Sequence, residues 1–297
     1  MKFIVHQALV GCTLQLEISE DDFVQLRRAR HILSSALSIE ENYEVLISNY
    51  LSLENTLLSI SVTGYFRNGR TYLDDFDRKS MLNVALVNLL TAARLYLDHL
   101  PQRIAECLPD ISPEKCGLKS RISHEYDAHF EYRFMEALRN YSQHRGIPVH
   151  GFGTGGRWDS IEKNQLEINT SFIAAKSFLE QDDNFKKTIL QEMPDKVNLT
   201  YACRRYVESL SAIHQFSREE ISESVTRSRD LIEDYHRRYS QLSPNGTLAL
   251  TASRLGDSPE KVPLLLDWDD VRINLQKRNL QLKSLSRSYV TGRIRED

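Results

Sequence analysis

One stretch of helical hydrophobic periodicity constrains the fold of this chain more than any other feature. Between Ser120 and Gly146, large apolar side chains recur every three or four residues, as along the buried stripe of an amphipathic helix. The members of this stripe are Tyr126, Phe130, Phe134, Leu138 and Tyr141. Gly146 and Pro148 follow in the order expected at a helix end. The repeat predicts a helix that begins near Ser120 or Ser123 and buries one face against other helices.

Helix signals account for most of the remaining chain. Residues 19–22 (SEDD) and 38–41 (SIEE) each place a serine three residues before an acidic side chain, a pattern typical of helix starts. They predict one helix to about Leu37 and a second to about Tyr65, followed by a turn at 67–70. Further helices are predicted at about 74–100, where Pro101 would end the helix, at 173–193 and at 198–242. The sequence therefore predicts a mainly α fold.

Short strands are predicted near both ends of the chain and in one internal segment. Residues 1–19 contain two short strands, and residues 247–252 and 262–268 are late strand candidates. The N-terminal strands could pair with the late ones. Residues 149–172 are rich in glycine and then strand-like. From Asp269 the chain is predicted to be helical before it ends in a basic tail.

A single mainly helical domain over residues 1–297 is the simplest organisation, because neither an internal repeat nor a low-complexity linker interrupts the chain. We divide it into a helical core at 40–145, a Gly-rich and β insertion at 149–172, further helices at 173–242, and short strands with the basic tail at 243–297.

Composition argues against several classes of protein. The 297 residues are 41% hydrophobic and 27% charged, and the net charge of −3 excludes a uniformly basic surface but permits a local basic site. The four cysteines are scattered, so their spacing indicates neither zinc nor a disulfide framework and fits a reducing cytoplasm. Residues 81–100, the most apolar stretch, contain two Asn and one Arg, which argues against a membrane span.

No cofactor or metal site is predicted. The GxGxxG pattern at 151–156 follows a helix and precedes a strand, whereas a dinucleotide site needs the opposite order. A hairpin turn or loop is the better interpretation of these glycines.

Polar side chains are concentrated at the end of the helix predicted from about Ser120 to Gly146. An Arg and a later His with four to six residues between them occur four times in the chain, so the spacing alone is not specific. Of these four Arg residues, only Arg139 is followed directly by an Asn. At about 100° per residue, Arg139 and His144 lie about 140° apart, with Glu136, Asn140 and Gln143 between them. This arc is predicted to point away from the apolar stripe, towards solvent or a partner.

The segment RFMEALRNYSQHRG at 133–146 resembles the signature of the HEPN superfamily, the higher eukaryotes and prokaryotes nucleotide-binding domain. That signature is an Arg, four to six residues and a His, usually with Asn, Asp or His directly after the Arg. Arg139, Asn140 and His144 match it. The apolar helix at 82–100 also resembles the companion helix of such proteins, so the resemblance covers about residues 40–145. It implies a HEPN-like antiparallel helical bundle and metal-independent RNA cleavage by a homodimer.

The resemblance has one departure. In a HEPN branch that is paired with nucleotidyltransferase antitoxins, a Tyr lies two residues after the motif His. Gly146 occupies that position here, so regulation by adenylylation of such a Tyr is not supported.

The implied chemistry assigns a role to each matched residue. Cleavage of RNA through its own 2′-hydroxyl needs a base, an acid and positive charge on the transition state. One chain supplies one His, whereas a two-fold dimer supplies two His and two Arg in one cleft. We expect Arg139 to hold a phosphate, His144 to act as general acid or base and Asn140 to position them. Arg133 and Arg145 flank the motif and are candidates for binding neighbouring RNA phosphates.

Together these features predict a cytoplasmic endoribonuclease that acts as a toxin or antiphage defence effector. RNA would be its substrate, and an antitoxin or defence-system protein its partner. Two alternatives stay open: a catalytically silent HEPN-like scaffold that binds a protein or RNA, and a sensor subunit of a larger system. An enzyme needs Arg139 and His144 in a shared cleft. A scaffold can hold them apart, in ion pairs, or behind the 149–172 insertion.

Overall fold

Long helices make up most of the protein. The computed structural model describes residues 1–66, 71–111, 116–160, 165–243, 246–256 and 258–288. Its helices are α1 (Glu20–Phe66), α2 (Tyr72–Cys107), α3 (Leu118–Ala128), α4 (Phe130–His144), α5 (Lys176–Leu179), α6 (Lys187–Glu192), α7 (Leu199–Leu242) and α8 (Asp267–Arg278), followed by a 3₁₀ turn at Leu285–Arg287. The predicted mainly α fold is confirmed. The turn predicted at 67–70 and the end of the basic tail lie outside the described residues.

Within the described residues, the strands form two small antiparallel sheets. The strands are β1 (Lys2–Gln7), β2 (Gln15–Ile18), β3 (Gly151–Ser160), β4 (Gln165–Ala175), β5 (Lys196–Asn198), β6 (Leu250–Leu255) and β7 (Glu260–Pro263). The first sheet has the order β2-β1-β6-β7 and the second the order β3-β4-β5. Val5 of β1 lies opposite Ala252 of β6, so the predicted pairing of an N-terminal strand with a late strand is confirmed.

The chain forms two compact units, each assembled from three segments. Unit 1 comprises Met1–Glu44, Asp98–Leu118 and Phe216–Leu280, and unit 2 comprises Val45–Leu97, Lys119–Gln215 and Gln281–Asp297. Unit 1 contains the four-stranded sheet, and its core includes Val5, Phe23, Leu33, Ile232 and Leu250. Unit 2 contains the three-stranded sheet, and its core includes Leu86, Leu89, Phe134, Leu138 and Leu210.

Helix α1 is continuous where two helices were predicted, and that prediction is wrong. The capping box at its start forms as expected, because the Asp22 amide donates to Ser19 Oγ over 3.0 Å and the Ser19 amide donates to Asp22 Oδ2 over 2.9 Å. The second signal, at Ser38, lies inside the helix. Buried side chains at Leu33, Ala36, Ile39 and Tyr43 keep the same face in the core across Ser38, and this packing outweighs the local signal.

Helix α2 continues past Pro101, where the sequence predicted its end. A proline removes one N–H donor and therefore one helical hydrogen bond. Leu100, Ile104 and Cys107 are buried on both sides of it, so core packing holds the last turns. By length and composition α2 could also cross a membrane, but half of its most apolar window is buried inside the protein.

The single helix predicted from about residue 120 to Gly146 is divided into α3 and α4 by one residue. His129 has extended backbone angles, φ −127° and ψ 115°. Arg205 donates to His129 Nδ1 over 3.0 Å, and His129 Nε2 lies 3.6 Å from Glu125. The contact with Arg205 of the distant helix α7 accompanies the break, and no local breaker residue predicts it.

The helix predicted at 173–193 is mostly absent. Strand β4 continues to Ala175 because residues 173–175 pair with 196–198 of β5. The two short helices α5 and α6 are separated by a turn in which the Asn184 amide donates to Asp182 Oδ1 over 3.1 Å. We refer to residues 182–186 as the acidic turn.

Candidate functional site

The core of unit 2 holds α4 firmly. Phe134, Met135 and Leu138 are fully buried, which confirms the centre of the predicted apolar stripe. On the opposite side, the Tyr206 hydroxyl donates to Glu136, whose carboxylate also lies 3.9 Å from Arg94. Glu136 therefore faces α7 and α2, so its predicted place in the outward polar arc is wrong. The helical wheel could not anticipate these two partners.

The C-terminal half of α4 and the acidic turn enclose an open cleft of about 330 Å³. Three of the predicted site residues, Asn140, His144 and Arg145, line it. The remaining lining residues are Ala137, Tyr141, Asp182, Asn184, Phe185 and Lys186. Asn140, His144 and Arg145 are exposed, because α4 ends at His144 and the last turn extends beyond the core. The cleft therefore combines an imidazole, an amide and two cationic side chains at the surface.

Arg139 lies outside the lining of this cleft and reaches it through its neighbour. Its side chain is half-buried, and Nη1 donates to Asn140 Oδ1 over 2.8 Å. Within the described residues, its buried Nε has no hydrogen-bond partner. The structure thus joins Arg139 to Asn140 by a hydrogen bond and places Asn140 and His144 in the same cleft, but it does not place Arg139 and His144 in one cleft of a single chain.

The guanidinium of Arg133 is already engaged. Nη1 donates to the carbonyls of Tyr126 and Asp127, each over 2.8 Å, and Nη2 donates to Glu192 over 2.6 Å. Those carbonyls belong to the last turn of α3, where helix carbonyls lack helical partners. In the structure Arg133 therefore caps α3 and ties it to α6. Its predicted contact with RNA stays a prediction.

Arg145 is half-exposed and forms an ion pair within the cleft. Its Nε lies 3.0 Å from Asp182 Oδ1, and the Asp182 side chain is 8% exposed. The pair fixes the acidic turn against the end of α4. A guanidinium has five N–H donors, so the outer edge of Arg145 can still bind a phosphate.

Lys186 is a cleft residue that the sequence did not reveal. Its Nζ donates to the Tyr126 hydroxyl over 2.9 Å and lies 5.3 Å from the centre of that ring. Across the described part of the chain it has no carboxylate partner. No sequence pattern marks Lys186 as a site residue, because it lies 42 positions beyond His144. The fold of the acidic turn brings it to α4.

Aromatic side chains form the base of the cleft. The rings of Tyr141 and Phe185 meet edge to face at 6.3 Å. Burial raises the pKa of Tyr141, and the Asp182 carboxylate raises it further. Tyr141 therefore stays a neutral hydroxyl group at physiological pH and can donate a hydrogen bond.

His150 packs behind this base. It stacks on Phe178 at 4.7 Å, and its Nδ1 accepts a 2.9 Å hydrogen bond from the Ala175 amide. Burial lowers the pKa of His150, and Lys79 lowers it further. His150 is thus a neutral packing residue and does not line the cleft.

The glycine-rich motif and the possible metal-binding side chains were the other candidate sites. The glycines at 151–156 lie within strand β3 and pair with residues 168–173 of β4, so their interpretation as a hairpin turn or loop is wrong. In the regions that the structure describes, no group of three or more His, Cys, Asp or Glu side chains could hold a metal ion.

Comparison with known proteins assigns this chain to no family. No family model, no curated protein and no solved structure matches this chain.

Proposed function

We propose that this protein is a metal-independent endoribonuclease of the HEPN type, whose active site is completed by a second copy of the chain. The observation that carries the proposal is the joint placement of Asn140 and His144 in one open cleft with Lys186 and Arg145. Imidazole and cationic groups at the same surface are what cleavage through a 2′-hydroxyl requires.

The reaction assigns these groups as follows. The 2′-oxygen attacks the adjacent phosphorus while a histidine accepts its proton, and the bond from phosphorus to the 5′-oxygen breaks as an acid protonates that oxygen. The products are a 2′,3′-cyclic phosphate and a 5′-hydroxyl. His144 of one copy would be the base and His144 of the second copy the acid. Lys186 and Arg145 would hold the phosphate, and Arg139 would act through Asn140.

By the resemblance of residues 133–146 to the HEPN signature, the biological role would be that of a toxin or antiphage defence effector in the cytoplasm. Its partner would be an antitoxin or another protein of the defence system. RNA is the substrate in either role.

A second candidate is a catalytically silent HEPN-like scaffold or sensor that binds RNA or a protein. Three observations favour it: Arg133 is paired with Glu192, Arg145 is paired with Asp182, and Arg139 is half-buried. An arginine that is already paired with a carboxylate contributes less binding free energy to a phosphate.

A cleavage assay in EDTA separates the two candidates. Wild type is compared with His144→Ala, Arg139→Ala and the control Gln143→Ala, which changes an exposed neighbour that does not line the cleft. The nuclease proposal expects cyclic phosphate ends from wild type and Gln143→Ala, and a loss of at least about 100-fold in His144→Ala.

Equal cleavage by all four proteins would place the activity elsewhere. Absence of cleavage from wild type on total cellular RNA, together with RNA binding, would favour the scaffold. Toxicity on expression that depends on His144 would be a second sign of the enzyme.

A further inference from the structure

The acidic turn supplies the cleft with a carboxylate that is only half used. Asp182 lines the cleft, and its Oδ1 accepts from the Asn184 backbone amide over 3.1 Å and lies 3.0 Å from Arg145 Nε. Within the described residues, its second oxygen, Oδ2, accepts no hydrogen bond. One carboxylate oxygen therefore holds the turn together, and the other is available to a ligand.

Asn184 adds a second acceptor to the same turn. Its side chain is exposed and also lines the cleft. Because Nδ2 donates to Asp182 Oδ1 over 3.4 Å, the amide nitrogen is directed at the turn and the amide oxygen is the atom left for a ligand. Two neighbouring side chains of the acidic turn thus each offer one oxygen that accepts hydrogen bonds.

The end of α4 supplies donors to the cleft instead. Asn140 uses its Oδ1 to accept from Arg139, so its Nδ2 is left as a donor. The Tyr141 hydroxyl and the guanidinium of Arg145 are further donors in the lining. The cleft therefore has acceptors on the acidic turn and donors on α4, with the ammonium group of Lys186 as a second positive charge.

Guanine is the RNA base whose edge matches two neighbouring acceptors. Its Watson–Crick edge presents two adjacent donors, N1–H and the N2 amino group, followed by the acceptor O6. Adenine and cytosine each present one amino group beside a ring nitrogen that accepts, and uracil presents one N–H between two carbonyl oxygens. Proteins select unpaired RNA bases by hydrogen bonds to this edge.

We propose that the cleft selects guanine in its RNA substrate, with the base held by Asp182 and Asn184 and the adjoining phosphate by Arg145 and Lys186. This inference rests on the proposed function, because it takes RNA as the ligand of the cleft, and it adds the base that the cleft prefers. The volume of about 330 Å³ is at the lower end of the range for small-molecule sites, about 300–1,000 Å³, which suits one unpaired nucleotide.

The hydrogen bonds of the turn make Asp182→Asn a test of a single atom. The Asn184 backbone amide and Arg145 both need an acceptor, so the new side chain should keep its oxygen at the Oδ1 position and direct its amino group into the cleft. A donor would then face the N–H groups of guanine. The lost negative charge should strengthen the binding of every nucleotide phosphate alike, so the ratio of affinities between bases measures the base contact.

Calorimetric titration of the full chain with nucleoside 3′-monophosphates tests the proposal without requiring cleavage. Guanosine, adenosine and inosine 3′-monophosphates are compared, because inosine lacks only the N2 amino group of guanosine. We expect guanosine to bind about tenfold more tightly than inosine, and adenosine to bind no better than inosine. Guanosine 5′-monophosphate, titrated in parallel, shows on which side of the base the phosphate is held.

Asp182→Asn should bring the affinity ratio of guanosine to adenosine close to one. Asp183→Asn is the matched control, since it neutralises the next carboxylate of the turn, which is exposed and does not line the cleft, and it should keep the wild-type ratio. Circular dichroism checks the fold of both variants. If Asp182→Asn does not fold, the wild-type ratio of guanosine to inosine still decides the proposal.

Equal affinities of wild type for the three bases, no binding of any of them, or an unchanged preference in folded Asp182→Asn would overturn the inference. Its failure is distinguishable from failure of the nuclease proposal. Cleavage in EDTA that depends on His144 but not on guanine would reject the base contact alone. Selective binding of guanosine monophosphate without cleavage would support the base contact and reject the nuclease.

Discussion

The guanidinium of Arg139 donates a 2.8 Å hydrogen bond to the side-chain oxygen of Asn140, and Asn140 lines the cleft that holds His144. The motif arginine is therefore linked to the cleft through the residue between it and the histidine. An Asn140→Ala variant would lose both a cleft amide and the side chain that orients Arg139. If Arg139 instead contacted the substrate directly, that contact would survive this change.

Removing the cleft lysine should weaken anion binding. Lys186 lines the cleft and forms no ion pair within the described residues, so Lys186→Met is expected to weaken phosphate binding by about three- to tenfold. Titration of inorganic phosphate against the His144 ring signals in NMR spectra measures this. Lys187→Met changes the next, also exposed, lysine outside the cleft and should leave binding unchanged. Equal effects of both variants would indicate a general charge effect.

Removing the guanidinium that caps α3 should reduce stability. Arg133→Met deletes hydrogen bonds to two helix carbonyls and an ion pair to Glu192, so we expect a loss of about 1–3 kcal/mol in the free energy of unfolding. Urea unfolding measures it. Glu192→Gln removes only the half-exposed ion pair and should cost less. Unchanged stability together with weaker RNA binding would show instead that Arg133 binds RNA.

A methyl group at Gly146 should disturb the aromatic base of the cleft. A Cβ there would lie 2.9 Å from the Tyr141 hydroxyl oxygen, so Gly146→Ala is expected to cost about 1 kcal/mol of stability. Adding Tyr141→Phe removes that oxygen and should restore part of the loss. Gly153→Ala, where a Cβ meets nothing within 4 Å, is the control. An equal cost for both single variants would refute the steric explanation.

His150 should make the protein less stable in mild acid. Burial, with Lys79 nearby, lowers the pKa of His150 below its unfolded value, so the unfolded chain binds the proton more readily. Its contribution is complete above about pH 6.5 and decreases as the pH falls through that value towards the folded pKa. His150→Asn keeps an acceptor for the Ala175 amide but does not titrate. The difference in urea midpoint between about pH 7.5 and about pH 5.5 should therefore be smaller in this variant than in wild type.

Local sequence signals predicted the fold where packing agreed with them. The capping box at Ser19 and the helix at 198–242 both form. Where tertiary packing opposed a local signal, packing decided the outcome: α1 continues through Ser38 because its buried face continues, and α2 continues through Pro101. The break at His129 depends on Arg205, 76 residues away, which no local pattern encodes.

The site shows the same division. Asn140 and His144 were predictable because four positions separate them on one helix. Lys186, Asp182 and Phe185 were not, because their place in the cleft depends on a turn between two short helices. Glu136 was assigned to the wrong side because a helical wheel shows angle but not the neighbours that a helix will meet.

The pairing of β1 with β6 also has a consequence during synthesis. His6 Nε2 lies 2.9 Å from Ser253 Oγ, 247 residues further along the chain. At about 5–20 residues per second, roughly 12 to 50 seconds separate the appearance of the two strands from the ribosome. During that interval the β1 edge that later meets β6 has unpaired amides and carbonyls, which can pair with other chains. Completion of this sheet is therefore a late event, and a chain interrupted before residue 250 would carry an open, aggregation-prone edge.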